Sequence, residues 1–292
     1  MSTISPQALP APQEMKAALC AALPQVNHLD WVDRTTSTNA DLLARARASG
    51  GQLARPWLLG AHVQESGRGR AGRTWQNRSG ANLMFSCAFD VFLPPQQLPT
   101  LSPLAGLAAC EALRELISPQ LRDRLTMKWP NDVQWQFAKL AGILVEVTRS
   151  GTSRLSKDHY VAIIGMGLNL DDARALSQSL NRQVADWSEV CSQDAAAHAV
   201  GAAGIVARIA RAWYDSLNRV TAHGFEDFPG RYRHVDFLEG QHIHVLDEGR
   251  ILQAGIACGV NAHGQLLVRT LDGVTPVSVG EVSVRPQQGL LP

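Results

Sequence analysis

The strongest chemical signal in the sequence is a run of three arginines and three glycines. Residues 67–73 read Gly-Arg-Gly-Arg-Ala-Gly-Arg. Like charges this close lie within the screening length of about 8 Å at physiological salt and repel one another. Glycine permits positive φ and close approach of the backbone to a ligand, and guanidinium groups form forked hydrogen bonds to phosphate or carboxylate. The segment therefore predicts a mobile loop that closes over a multiply charged anion.

Three other interpretations of this run stay open at this point. It suits a solvated surface loop, and it suits a nucleic-acid-binding segment, although no aromatic ladder follows it. It also satisfies the dinucleotide pattern G-x-G-x-x-G at Gly67, Gly69 and Gly72, with Asp90 near the expected acidic position. That pattern should open a helix directly, whereas residues 73–80 show no helical apolar spacing. The dinucleotide interpretation is therefore weak.

The composition restricts the class of protein. The chain has 292 residues, 45% of them hydrophobic, and 27 Lys plus Arg against 26 Asp plus Glu. This supports a sizeable core and excludes wholesale disorder, and the near-neutral charge argues against a protein that coats nucleic acid. Five scattered cysteines without a C-x-x-C spacing argue against a disulfide scaffold or zinc ribbon. With neither a membrane-length apolar run nor a secretory signal, we expect a cytoplasmic protein.

The elements that must position these residues follow from the apolar periodicity. It predicts a helix from Ser37 to Gly50-Gly51, strands at 57–63, 83–92, 126–129, 140–148 and 160–170, and helices at 101–117 and 195–222. Short β-type runs at 242–246, 251–258, 266–271 and 274–284, separated by turn sequences, predict a small β-barrel. We expect a tail with a short helix at 1–28, a large α+β domain at 29–237 and a β-domain at 238–292.

Four further motifs accompany the arginine loop. They are Thr36-Ser37-Thr38-Asn39, Lys128-Trp129-Pro130-Asn131-Asp132, residues 139–146 (Lys-Leu-Ala-Gly-Ile-Leu-Val-Glu), and Gly165-Met166-Gly167-Leu168-Asn169. Together and in this order, over roughly residues 31–170, they resemble the biotin protein ligase family, and the C-terminal β-domain also fits. The resemblance implies a mixed sheet with flanking helices, like that of class II synthetases, followed by a small SH3-like β-barrel.

The resemblance also implies an ATP-dependent reaction in two steps. Biotin and MgATP give biotinyl-5′-AMP and pyrophosphate, and a lysine of a biotin carboxyl carrier domain then attacks the adenylate and releases AMP. Bringing a carboxylate against a polyanionic nucleotide requires nearby cations, which the arginines and lysines of the motifs supply. The resemblance implies catalytic roles for Arg70, Lys128, Asp132 and Lys139. Asp132 is either a Mg²⁺ ligand or the group that orients the attacking amine.

The same resemblance implies two binding sets. For biotin they are Ser37, Thr38, Asn39, Gln64, Arg68, Gly69, Arg70, Lys139, Gly142, Gly165 and Gly167. For the nucleotide they are Arg68, Arg70, Arg73, Trp75, Asn131, Lys139 and Asn169. Neutral donors and acceptors suit a ureido ring, and strand glycines permit close approach of a ligand. A helix cap at Ser37, a core position at Trp75 and a turn position at Asn169 are the structural alternatives.

The resemblance also limits the partners. Bifunctional members carry a winged helix-turn-helix before the Ser-Thr-Asn segment, and the roughly 35 residues here lack its pattern, so we expect neither a DNA partner nor repressor activity. Biotin, ATP and the carrier domain of a carboxylase are the expected partners, without a membrane, and a homodimer is left open. A lipoate or octanoyl ligase and a DNA-binding regulator are the alternative functions. His242 and His244 are expected to be surface histidines, because no third metal ligand lies nearby in sequence.

Overall fold

A mixed seven-stranded sheet forms the centre of the molecule. The computed structural model describes residues 9–48, 54–149, 156–247, 249–279 and 283–286. The strands are β1 (His28–Thr35), β2 (Trp57–Gln64), β3 (Asn82–Phe92), β4 (Leu125–Lys128), β5 (Asp132–Trp135), β6 (Ala138–Thr148) and β7 (His159–Asn169). Their spatial order is β1-β2-β3-β7-β6-β5-β4. Strands β1 and β2 are parallel, and the other neighbours are antiparallel.

Helices cover both faces of this sheet. They are α1 (Pro12–Ala22), α2 (Thr38–Ala48), α3 (Leu101–Arg114), α4 (Ala173–Leu180), α5 (Trp187–Gln193), α6 (Ala195–His198), α7 (Ala202–His223) and α8 (Phe228–Arg233). Successive strand residues point to opposite faces, so Phe85 of β3 stacks on Trp213 of α7, whereas Ala88 packs with Leu42 of α2. The central strand β7 is buried at every position. Across the described ranges, no helix has the length and apolar character needed to cross a membrane.

The C-terminal part forms a second, antiparallel sheet. Its strands are β8 (His242–Asp247), β9 (Arg250–Val260), β10 (Leu266–Thr270), β11 (Gly273–Val277) and β12 (Ser283–Pro286), in the order β11-β10-β9-β8-β12. Within the described residues, the edge strands β11 and β12 do not pair, so the sheet is open rather than a closed barrel.

The turn between β9 and β10 joins this sheet to the larger domain. The indole nitrogen of Trp129 donates to the carbonyl of Gly264 at 2.9 Å. The hydroxyl of Thr100 donates to the carbonyl of His263 at 2.8 Å. Trp129 belongs to the Lys128–Asp132 motif, so the C-terminal sheet is anchored beside one of the segments expected to do chemistry.

The predicted α+β class and most predicted strands are confirmed. The prediction of one continuous helix at 195–222 is wrong. The structure has two helices there, α6 and α7, because the backbone of Gly201 between them is extended. The predicted strand at 274–284 is two strands, β11 and β12. The patterns did not reveal β1, β5, α4, α5 or α8. The predicted end of α2 at Gly50-Gly51 lies outside the described residues, and the division of the chain between residues 237 and 238 stays a prediction.

Candidate active site

The arginine–glycine run forms a short hairpin between β2 and β3. Arg68 and Thr74 lie opposite each other as an antiparallel bridge. The chain reverses at Ala71-Gly72, where φ is +52° and +67°. Two consecutive residues with positive φ are typical of a type I′ hairpin turn. The glycines thus serve a hairpin rather than a strand-to-helix turn, which argues against the dinucleotide interpretation.

Two arginines of this hairpin contact the strands beyond it. Arg70 donates from Nη1 to Oδ1 of Asn131 at 3.2 Å, and Arg68 donates from Nη2 to Oε2 of Glu146 at 3.2 Å. Burial lowers the pKa of Arg70, and the nearby Asp132 carboxylate opposes that shift. Since an arginine starts from a pKa above 12, it stays charged in this setting. The hairpin therefore holds guanidinium groups beside β5 and β6.

A chain of side-chain hydrogen bonds runs beneath the hairpin. The backbone N–H of Thr38 donates to Oε1 of Gln64 at 2.7 Å, and the Thr38 and Ser86 hydroxyls lie 2.7 Å apart. Ser86 donates to Oδ1 of Asn39 at 2.6 Å. The Asn39 amide then donates from Nδ2 to Oε2 of Glu146 at 2.9 Å. These groups form a continuous polar strip between α2, β2, β3 and β6, with both donors and acceptors.

Glycines on β6 and β7 make room for the larger side chains of the site. Gly142 and Gly167 are paired across these strands. A Cβ at Gly165 would collide with the amide of Asn39, and one at Gly167 would collide with the indole of Trp75. The buried Nε1 of Trp75 has no hydrogen-bond partner within the described residues. The Trp75 ring therefore packs closely against β7, with its Nε1 edge toward Gly167.

Lys139 of β6 and Asp132 of β5 form an ion pair beside Trp75. The ammonium nitrogen lies 2.5 Å from Oδ1 of Asp132 and 5.7 Å from the centroid of the Trp75 ring. The Lys139 side chain is 16% exposed and that of Asp132 is 26% exposed. Partial burial strengthens this interaction compared with a surface pair.

Lys128 lies in a cationic environment. Within the described residues, the nearby Asp132 carboxylate is paired with Lys139 rather than with the Lys128 ammonium group. Burial lowers its pKa, Asp132 opposes that shift, and Arg285, Lys139 and Arg182 lower it further. Arg285 comes from β12 of the C-terminal sheet, so both domains contribute positive charge here. Such a field favours a polyanionic ligand.

A narrow cleft continues from this cationic region toward α4. Its lining consists of Thr74, Trp75, Gln76, Lys139, Asn169, Leu176, Leu180, Arg182 and Val184. The amide of Asn169 donates to the carbonyls of Ala185 and Lys139 at 3.0 and 3.3 Å and accepts from Asn82 at 3.2 Å. Asn169 therefore lines the cleft while its side chain joins two backbone carbonyls and the Asn82 side chain.

Most of the predicted site residues come together around the hairpin and its neighbouring strands. Ser37 instead accepts from the N–H of Ala40 at 3.4 Å, the geometry of a helix cap, and Arg73 is exposed. Four polar residues near the site were not predicted: Ser86, Glu146, Arg182 and Arg285. Of these four, Glu146 could have been predicted from the sequence, because it is the last residue of the 139–146 motif. Ser86 lies in an apolar strand, and the other two lie far away along the chain.

A resident metal site is not supported by the donor set. The described residues contain no group of three or more histidine, cysteine, aspartate or glutamate side chains suited to a metal. Asp132 is a single carboxylate that already faces the ammonium group of Lys139, and the other charged groups nearby are mainly cations. Mg²⁺ needs carboxylate or phosphate oxygens in an octahedral arrangement, so Asp132 does not by itself fit a bound Mg²⁺.

This fold and site define a protein of the biotin and lipoate ligase class. The biotin/lipoate A/B protein ligase family matches residues 31–169, and the biotin protein ligase C-terminal domain matches residues 240–285. The chain is 30% identical to the bifunctional ligase/repressor BirA of Escherichia coli, over 85% of this chain and 71% of that protein. It is also 30% identical to the biotin–[acetyl-CoA-carboxylase] ligase of Paracoccus denitrificans, over 85% of this chain and 97% of that protein.

A solved structure supports the same family. The biotin protein ligase of Aquifex aeolicus, in complex with biotin and ATP, superposes with a TM-score of 0.69 at 26% identity, over 89% of this chain and all of that chain. The chain belongs to the biotin protein ligase family. The predicted fold is confirmed by this similarity. The similarities do not favour either alternative function, a lipoate or octanoyl ligase or a DNA-binding regulator.

Proposed function

We propose that this chain activates biotin as biotinyl-5′-AMP with ATP and transfers it to a lysine of a biotin carboxyl carrier domain. The observation that carries the proposal is the combination, next to the arginine hairpin, of the hydrogen-bonding groups of Thr38, Asn39 and Gln64 with a cluster of cations. The strip suits an uncharged ureido ring, and the cluster suits a carboxylate and a triphosphate. Biotin and ATP carry these groups.

Biotin is proposed to lie along the strip beneath the hairpin. Its ureido group would exchange hydrogen bonds with Thr38, Asn39 and Gln64, whose side chains already form one network. Ser37, Gly69, Gly142, Gly165 and Gly167 complete the proposed contacts. The absence of a Cβ at Gly165 allows the Asn39 amide to lie against β7. The biotin carboxylate would then point toward Arg68, Arg70 and Lys139.

The nucleotide is proposed to enter the cleft beside Trp75. The indole offers an aromatic surface for the adenine, and the apolar side chains of Leu176 and Val184 line the same cleft. The phosphates would face Lys128, Arg182 and Arg285, whose charges already act together. Arg68, Arg70, Arg73, Asn131 and Asn169 are the remaining proposed nucleotide contacts.

In the first step, a biotin carboxylate oxygen attacks the α-phosphorus of ATP. A new O–P bond forms, the bond between the α-phosphorus and the bridging oxygen breaks, and pyrophosphate leaves. Lys139 has three donors, so it can keep Asp132 and still donate to the α-phosphate. Lys128 and Arg70 would stabilise the negative charge of the transition state and of pyrophosphate. Mg²⁺ is proposed only as a companion of the ATP phosphates, and no step here depends on it.

In the second step, the neutral amine of the carrier lysine attacks the carbonyl carbon of the mixed anhydride. The C–N bond forms, the C–O bond to phosphate breaks, AMP leaves, and the nitrogen releases a proton to water. The amine must lose a proton to react, and the Asp132 carboxylate is paired with Lys139, which is proposed to contact the α-phosphate. We therefore propose that Asp132 orients the incoming amine.

The partners and location follow the same proposal. The carrier domain of a carboxylase is the proposed macromolecular substrate, and a near-neutral net charge of +1 gives no support for a DNA partner. We propose a cytoplasmic enzyme, and a homodimer is compatible with the proposal. Sedimentation of the purified chain with and without biotin and ATP measures the oligomeric state.

The function is tested with the purified chain, ATP, Mg²⁺ and a biotin carboxyl carrier domain. We expect pyrophosphate release that depends on biotin and an increase in carrier mass by one biotinyl group. Lipoate and octanoate in place of biotin should support neither. A folded sample that releases pyrophosphate with lipoate but not with biotin would overturn the proposed substrate, and one that does so with neither would overturn the proposed reaction.

A further inference from the structure

We propose that Glu146 is a positioning residue that links closure of the arginine hairpin to the orientation of the Asn39 amide. The inference rests on the proposed function, because it concerns how this site retains biotin and its adenylate. It assigns a role to a carboxylate that the reaction itself does not require.

One oxygen of Glu146 receives two hydrogen bonds from different parts of the site. Its Oε2 accepts from Nδ2 of Asn39 at 2.9 Å and from Nη2 of Arg68 at 3.2 Å. Asn39 belongs to α2, Arg68 to the hairpin and Glu146 to β6. Three separately positioned segments therefore meet at a single atom.

The bond to Glu146 sets which way the Asn39 amide points. Oδ1 of this amide accepts from Ser86 at 2.6 Å, and its Nδ2 needs an acceptor on the other side. The alternative acceptor is the carbonyl of Leu144, at a long 3.5 Å. A carboxylate is the stronger acceptor. Glu146 thus keeps Oδ1 toward Ser86, and through Ser86 it keeps the Thr38 and Gln64 groups in order.

The bond to Arg68 is a charged attachment of the hairpin to β6. Arg70 also donates to the neutral amide of Asn131. The Arg68 side chain is 43% exposed and that of Glu146 is 24% exposed, and pairs with this exposure contribute little to folding stability. Loss of Glu146 should therefore leave the chain folded while releasing the hairpin from the biotin side of the site.

The test compares Glu146→Ala and Glu146→Gln with the unchanged chain. The readouts are the KM for biotin, the KM for ATP, and the rate at which biotinyl-AMP escapes into solution without a carrier. Glu65→Gln is the matched control, because Glu65 pairs with Arg34 at 3.6 Å on the surface and both side chains are more than half exposed.

We expect Glu146→Ala to raise the KM for biotin and the escape of adenylate by about tenfold, as for loss of hydrogen bonds to a charged group. The KM for ATP should rise by less than the KM for biotin, since Glu146 contacts Arg68 among the proposed ATP-binding residues but also orients the Asn39 amide of the biotin strip. Glu146→Gln keeps an acceptor for Asn39 but loses the charge opposite Arg68. It should recover the KM for biotin while the escape of adenylate stays raised.

Two results would overturn the inference. One is an unchanged KM for biotin and unchanged adenylate escape in Glu146→Ala. The other is an equal loss across biotin, ATP and thermal stability, which indicates a structural role alone. Both are distinct from failure of the proposed function, in which the unchanged chain itself forms no biotinyl-AMP.

Discussion

The ammonium nitrogen of Lys139 lies 2.5 Å from a carboxylate oxygen of Asp132, at the end of the sheet where Lys128, Arg182 and Arg285 also gather. Asp132 is thus the acidic partner within a cluster of positive charge. The pair holds the Lys139 ammonium in place before any substrate arrives. Preorganised charge of this kind stabilises a transition state without further rearrangement.

Replacing Lys139 should therefore stop the first step without unfolding the chain. We expect Lys139→Ala to reduce biotin-dependent exchange of pyrophosphate into ATP by at least about 100-fold, the usual scale for losing a charge-stabilising donor. Circular dichroism should be unchanged. Lys157→Ala, at an exposed position, is the control. Adenylate formation at near-normal rates in the Lys139 variant would remove Lys139 from the catalytic group.

The Trp75 ring fits against β7 because Gly167 has no side chain. A methyl group at Gly167 collides with the indole, so Gly167→Ala should displace Trp75 and raise the KM for ATP by about tenfold, since a well-formed aromatic contact contributes roughly 0.5–1.5 kcal/mol. Gly230→Ala is the control, because nothing lies within 4 Å of a Cβ there. An unchanged KM for ATP in the Gly167 variant would contradict the proposed adenine site.

Arg285 tests whether the C-terminal sheet takes part in nucleotide binding. Its charge lowers the pKa of Lys128, so the two groups lie close enough to repel each other. We expect Arg285→Ala to raise the KM for ATP by about three- to tenfold, with little change for biotin, because a charge-assisted contact to phosphate is lost. Arg269→Ala, exposed on β10 of the same sheet, should behave like the unchanged chain. Equal effects of the two variants would argue against a phosphate role.

Asp236 predicts a pH dependence of stability. Burial raises its pKa to about 6 from the ordinary 3.8, and its Oδ2 has no partner among the described residues. The folded state therefore binds this proton more tightly than the unfolded state. The resulting stabilisation is complete below pH 3.8 and is lost as the pH rises through 6. Above that, charged Asp236 destabilises the fold by about 3 kcal/mol relative to a neutral side chain.

The Asp236→Asn substitution should accordingly stabilise the chain at pH 8 and have little effect near pH 4. The amide oxygen can still accept from the N–H of Leu238, as Oδ1 of Asp236 does at 2.8 Å. Thermal unfolding followed at both pH values measures the difference. Asp272→Asn, on an exposed turn, is the control. A stabilisation of equal size at both pH values would contradict the assignment to Asp236 ionisation.

The sequence identified the short motifs because their chemistry is local. Three arginines within seven residues, or a lysine and an aspartate within one motif, show their charge without any knowledge of the fold. The buried strands β3, β6 and β7 were equally visible, because continuous apolar runs of this length must be removed from water. Strands β1 and β5 were missed because one is rich in charged residues and the other has only four residues.

By itself, then, the sequence determined the α+β class, the family resemblance and most members of the proposed site. Only the tertiary structure decided how these members are connected. Ser86 meets Asn39 from 47 residues away and Glu146 meets Arg68 from 78 residues away, because the order β3-β7-β6 brings distant strands together. The physical reason is that a hydrogen bond depends on separation in space, and strand order is set by packing across the whole sheet rather than by any local pattern.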